Sequence, residues 1–211
     1  MNLTEAIAKA AEGLKQMVDL AQVMRSDVNA AADAWQSEPE SQFIKRTYVR
    51  TFCAYCEGTL FGLRQSILLF HDLGVRNLDA EEFLVLREAA FEVGSNGKLV
   101  RREKWIPMKG SLQFTVTMFT KAFGLPYELD TGGSGCQAYQ RTLVVRDKLI
   151  HPKLPEEFLV SDQAAEDVCV ASDWFESEQH KIFTPAFFPR MKELLGETGL
   201  FEEVRQSEPR H

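Results

Sequence analysis

No stretch of this chain is apolar for long enough to cross a bilayer. About 20 consecutive apolar residues are needed, and the longest runs here, such as Ile67–Phe70, are a few residues. Cysteine is scarce. Cys53, Cys56, Cys136 and Cys169 are irregularly spaced, which excludes a disulfide framework and predicts a reducing, cytoplasmic setting. The first residues carry no basic flank before an apolar run, so no secretory leader is predicted. Positive charge is in deficit: 24 Lys and Arg against 31 Asp and Glu give a net charge of −7. That counts against a generic nucleic-acid binder, which depends on basic surface to release counterions from phosphates. Any RNA bound here needs a local basic cleft. The glycines at 132, 133 and 135 are not a phosphate-binding loop, because no Gly-Lys-Ser/Thr follows and no strand precedes. There is no internal repeat and no low-complexity segment.

What is present is helical periodicity. Leu3, Ile7, Ala10, Leu14, Met17, Ala21, Met24, Val28, Ala31 and Trp35 alternate spacings of four and three. That is the seam of a long helix, Asn2–Trp35, in an antiparallel bundle. Asn2 with Glu5 predicts its N-terminal cap, and Ser37-Glu38-Pro39-Glu40 a turn with Ser37 capping a restart. A second long helix is predicted from about Glu40 to Phe70, with Ile44, Tyr48, Phe52, Tyr55, Leu63, Ile67 and Phe70 inside. Arg46, Arg50, Glu57 and Arg64 share its opposite side, either as a solvated face or as a stripe lining a cleft. Gly58 and Gly62 predict a tight helix contact or a bend. Cys53 and Cys56 form a C-x-x-C mid-helix between aromatics. With no second pair to complete a zinc site, they read as buried structural thiols.

Gly74 is the expected stop of this helix, and His71 there reads as a packing residue. A short helix from about Asp79 to Glu92 follows, with Phe83, Leu86, Ala90 and Phe91 inward. Ser95-Asn96-Gly97 marks a tight turn. Lys98–Trp105 is the most basic stretch of the chain, carrying Arg101 and Arg102, and predicts a short β-hairpin at about 94–106. A basic arm ending in an aromatic suits single-stranded RNA, and a solvated loop anchored by Trp105 equally. Further helices are expected over Ser111–Phe123, from about Gln137 to Ile150, from a Ser161 cap to about Phe183, and over Met191–Leu195. The whole is one domain over 1–203 with a disordered tail at 204–211.

The chain turns on Gln137–Lys153. Tyr139, Leu143 and Ile150 fall on one helix face, flanked by Ala138, Val145 and Leu149, with Arg146 in their midst. A guanidinium does not lose its proton in a protein, so it needs an anion or a lined cavity. His151 follows where Pro152 breaks the helix. Arg146-Asp147-Lys148-Leu149-Ile150-His151-Pro152 resembles the Arg-(Asn/Asp)-x-x-x-His signature of the HEPN domains (higher eukaryotes and prokaryotes nucleotide-binding). The match covers seven residues, and the layout of long helices agrees.

The resemblance implies an all-α antiparallel bundle and a metal-independent endoribonuclease that needs no cofactor. It implies a homodimer with two Arg–His pairs facing one cleft. Arg146 would hold the phosphate and His151 move the proton, with Asp147 orienting either. Lys148 and Lys153 would add positive potential, and Arg50, Arg101 and Arg102 are further candidates for binding RNA. Glu57 is the candidate polar support from an earlier helix. A rival expectation keeps the fold without the chemistry: a nucleotide- or protein-binding regulatory module. Either reading fits one half of a toxin–antitoxin or phage-defence pair. The third is a structural bundle in which Arg146 meets a buried carboxylate.

Overall fold

The computed structural model describes residues 3–182, apart from 73, 75–76 and 105, and no side chain before 12 or at 14. It is an all-α antiparallel bundle carrying one short β-hairpin. The elements are α1 (Leu3–Ser37), α2 (Gln42–Asp72), α3 (Ala80–Leu86), β1 (Ala89–Val93), β2 (Leu99–Glu103), α4 (Met108–Phe123), α5 (Ser134–Ile150) and α6 (Asp162–Ile182). A single 3-10 turn, Pro155–Phe158, lies between α5 and α6. The expectations for Asn2, Glu5, Trp105, Phe183, Met191–Leu195 and the tail fall outside the described residues.

The mast of the fold is α2, which packs against α1, α3, α4, α5 and α6. Its 31 residues rise about 46 Å at 1.5 Å each. The seam of α1 meets it: Val28 and Ala31 are buried, and Trp35 stacks on Tyr48 with centroids 5.9 Å apart. At Gly58 the two helices come close, since a Cβ there would lie 2.5 Å from Met24 Sδ. Phe52 and Tyr55 of α2 meet Phe175 of α6 edge-on, Phe52 meets Tyr139 of α5 in the same way, and Tyr139 stacks on Phe175. Offset and edge-to-face pairs of this kind add to the area they bury. The second helix pair, α5 and α6, is tied by Arg141, whose Nε and Nη2 donate to both oxygens of Asp167 at 2.8 and 2.7 Å.

Several boundaries differ from the sequence reading. Ser37 caps nothing; its hydroxyl donates back to Asp33 O at 2.9 Å as the last residue of α1. The helix expected over Asp79–Glu92 ends at Leu86. Asp79 caps it and shares a reciprocal pair of bonds with Glu82, but Glu88 takes φ 47° and the chain leaves as a strand. Ala89–Val93 then pairs antiparallel with Leu99–Glu103, so the hairpin spans 89–103 and not 94–106, and Phe91 is exposed, not inward. Apolar residues in a short span satisfy both periods, and pairing across the Gly94–Gly97 turn decides between them. Helix α4 begins at Met108; Ser111 is buried inside it and accepts from Arg64 Nη1 at 2.7 Å. Arg64 is therefore buried rather than part of an open stripe, because α4 and Glu88, 3.2 Å away, cover that side of α2. Ile150, expected inside, is exposed at the end of α5.

Candidate functional site

Helix α5 ends where the sequence says it must. His151 N–H makes the last helical bond, to Asp147 O at 3.0 Å, and His151 itself has φ −125° and ψ 55°, outside the helical region. Its side chain is exposed, as are those of Lys148 and Lys153. Four and five residues back, Asp147 and Arg146 sit on the last turns of the helix.

Arg146 is half-buried, its side chain 18% exposed, and it is not alone. Nη2 donates to Glu57 Oε1 of α2 at 2.5 Å, and Nη1 to Asp147 Oδ1 at 3.1 Å. Glu57, the support expected from an earlier helix, thus meets the arginine. Both carboxylates keep contact with solvent, so the expected alternative of a buried carboxylate does not describe this pair. Two of the five guanidinium donors are held and the planar group is fixed in pose. Behind it lies Cys53, whose thiol burial pushes up to about 12, against the pull of the Arg146 charge. The Cys56 thiol is also pushed well up, by burial first and then by Cys53. These thiols are protonated and inert, as structural thiols should be. The free cysteines are Cys53, Cys56 and Cys136, all buried, and the exposed Cys169. Among the described residues no three His, Cys, Asp or Glu side chains are grouped to hold a metal ion.

About two turns from Glu57 toward the start of α2, Arg50 reaches the same helix end. Its Nη2 donates to Leu149 O at 3.2 Å, satisfying one of the carbonyls that a helix C-terminus leaves open. Arg46 follows a further turn away and donates to Phe158 O at 3.3 Å. The loop after His151 is folded back by Glu157, which accepts from the main-chain N–H of Lys153 at 2.5 Å and of Leu154 at 3.3 Å. The Lys153 bond above all, with Leu154, Lys148 and Lys153 adding to it, holds the Glu157 carboxyl below its usual range. Gln42 then clasps the end of that loop, donating to Val160 O at 3.0 Å and accepting from Val160 N at 2.9 Å.

Arg146, Asp147, Glu57, Arg50 and His151 therefore gather where α5 ends against α2, with Lys148 and Lys153 beside them. Arg101 and Arg102 do not join them through any bond. They lie exposed on β2, where Arg102 Nε donates to Glu92 Oε2 at 3.1 Å, and the hairpin packs beside α3. Sequence reading missed Glu157, Gln42 and Phe158 as shapers of this end. Only the Pro155-Glu156-Glu157 start of the 3-10 turn hinted at Glu157; the Gln42–Val160 clasp joins residues 118 apart and leaves no local trace. Compared with known proteins, the chain matches no family model, no curated protein and no solved structure.

Proposed function

We propose that the chain is an HEPN-like endoribonuclease whose centre is Arg146 and His151, cutting RNA without a metal ion. The observation that carries this reading is the joint at the end of α5: Arg146 is oriented by a carboxylate from a different helix, Glu57, while His151 stands exposed at the break. In this reaction the neutral imidazole of His151 takes the proton of a ribose 2′-hydroxyl. The 2′-oxygen attacks the adjacent phosphorus and the bond to the 5′-oxygen breaks. That oxygen takes a proton from solvent or from the second His151 of a dimer, leaving a 2′,3′-cyclic phosphate. Arg146 uses its remaining N–H donors to stabilise the charge gathering on the non-bridging oxygens. Asp147 and Glu57 hold Arg146; Lys148, Lys153 and Arg50 attract the flanking phosphates. A homodimer would bring two such ends to one groove and offset the overall negative charge.

A second reading is favoured by one specific fact: both terminal nitrogens of Arg146 already sit on carboxylates. A satisfied arginine suits a regulatory module that binds a nucleotide or a partner such as an antitoxin and cleaves nothing. Cleavage of a labelled single-stranded or transfer RNA in excess chelator, by the native chain beside Arg146→Ala and His151→Ala, separates the two. The nuclease reading expects cyclic phosphate ends and a loss of about 10²-fold or more in each variant. Absence of cleavage by native protein that is folded and dimeric in light scattering overturns it in favour of the module.

A further inference from the structure

Arg46 and Arg50 differ from most arginines in this chain. Arg25, Arg64, Arg87, Arg102, Arg141 and Arg146 all sit on carboxylates. Arg46 and Arg50 donate instead to main-chain carbonyls, of Phe158 and Leu149. Among the described residues neither takes part in a salt bridge. In a protein with seven more acidic than basic residues, two neighbouring guanidiniums left without a counter-charge form a local anion site.

The same surface is aromatic. The Arg46 guanidinium lies 5.7 Å from the centroid of the Phe158 ring, a cation–π contact that fixes both. Phe43, one turn before Arg46 and next to the Gln42 that clasps Val160, is 71% exposed. Leu159 is 64% exposed beside Phe158. Exposed rings are costly to hydrate, and a contiguous apolar patch rimmed by charge marks a binding surface. At about 100° per residue, Phe43, Arg46 and Arg50 share one face of α2, and Phe43 to Arg50 covers about 10 Å along it. Arg50 in turn bonds the carbonyl two residues before His151.

We propose that Phe43, Arg46 and Phe158 form a base-stacking platform for a nucleotide flanking the scissile one in single-stranded RNA, with Arg46 and Arg50 on its phosphates. The proposal rests on the RNA-cleaving reading above for its choice of ligand. Aromatic faces with adjacent guanidiniums suit unpaired bases, each of which presents a π-face, joined by phosphates. The row also leads along α2 directly to the proposed cleavage centre.

The test reads binding, not cleavage. The probe is a fluorescein-labelled 2′-O-methyl oligoribonucleotide of about ten residues, a length within single-strand site sizes, which cannot undergo 2′-hydroxyl attack. Anisotropy titrations compare the full native chain with Phe43→Ala, Phe43→Trp, Arg46→Gln and Phe61→Ala, and repeat with an abasic strand carrying the same phosphates. Phe61, half-exposed and about five turns beyond Phe43 on the same face, is the control. Far-UV circular dichroism and Tm check that each variant is folded. The platform predicts about tenfold or greater weakening for Phe43→Ala and for the abasic strand, with binding kept by Phe43→Trp and Phe61→Ala. Arg46→Gln should lower the slope of log Kd against log salt by about one. Equal affinity for the abasic strand, an unchanged Kd in Phe43→Ala, or no binding by the native chain overturns it. So does a native dimer that Phe43→Ala splits without changing RNA affinity, which assigns the patch to a second copy. Binding of this probe together with no cleavage of unmodified RNA in the chelator assay would sink the nuclease and leave the platform; cleavage there without a Phe43 effect on binding here would do the reverse.

Discussion

Arg141 and Asp167 show how a single pair can be read from folded geometry to a pH dependence. The hydrogen bonds from Arg141 hold the Asp167 carboxyl below its usual range, while burial pushes it back up. A carboxylate depressed in the folded state contributes stability that is complete above its unfolded value of about 4, and loses it as pH falls through the lower folded value. Asp167→Asn should therefore be less stable than the native chain at pH 7, by no more than about 1 kcal/mol because Arg141 is itself exposed. Between pH 5 and pH 3 its Tm should fall less than that of the native chain. Thermal melts across that range check this, and parallel curves would refute it. Neither residue could have been paired from sequence, since 26 positions separate them. The need of Arg146 for an anion could be read, because a charge on an apolar helix face announces it; Glu57 was a candidate only through the resemblance to HEPN domains. Arg64, on the same side of α2 as Arg50 by helical count, was misleading: what covers it comes from α4 and Glu88, which helix periodicity does not see.

Among the elements, α5 and α6 come into close contact at Gly135. A Cβ built there would lie 2.3 Å from Cβ and 2.4 Å from Cγ of Trp174. Those atoms sit next to the backbone of α6, so the indole cannot swing away to make room. Alanine gains about 1 kcal/mol in helix propensity over glycine. Forcing two helices apart costs typically 1–3 kcal/mol and here involves near-backbone atoms, so overpacking wins. Gly135→Ala should lower the urea midpoint with an unchanged slope; an unchanged or raised midpoint would show that the helices can separate freely. The long helices were legible because α2, α5 and α6 repeat apolar residues over many turns and end at a glycine, a proline or a capping serine. The passage from α3 to β1 was not, since Ala89-Ala90-Phe91-Glu92-Val93 carries apolar residues compatible with either period. There the pairing partner, ten or so residues away, made the choice.

For the whole molecule, the consequence of hanging the other helices on α2 is that the inner face of its middle is covered, while Glu57 and Phe61 on its outer face stay open to solvent. Cys53 and Cys56 lie on that inner face and Cys136 is buried in the first turn of α5, while Cys169 is exposed. The C-x-x-C pattern was readable as packing because it stood mid-helix among aromatics; the burial of Cys136 was not, since it depends on how the helix pairs meet. A sealed thiol is also a clock. Iodoacetamide can reach Cys53 and Cys56 only while the helices around them part, so the rate at which those adducts accumulate counts the openings of the mast itself. Mass spectrometry of the native protein should show one adduct, at Cys169, well before any other, with the remaining three arriving together once urea makes opening common. Early labelling at Cys53 would mean that α2 is exposed far more often than its packing allows. The same clock, read with and without RNA, would report whether occupying the end of α5 tightens the whole bundle, with no need for the chain to cut anything.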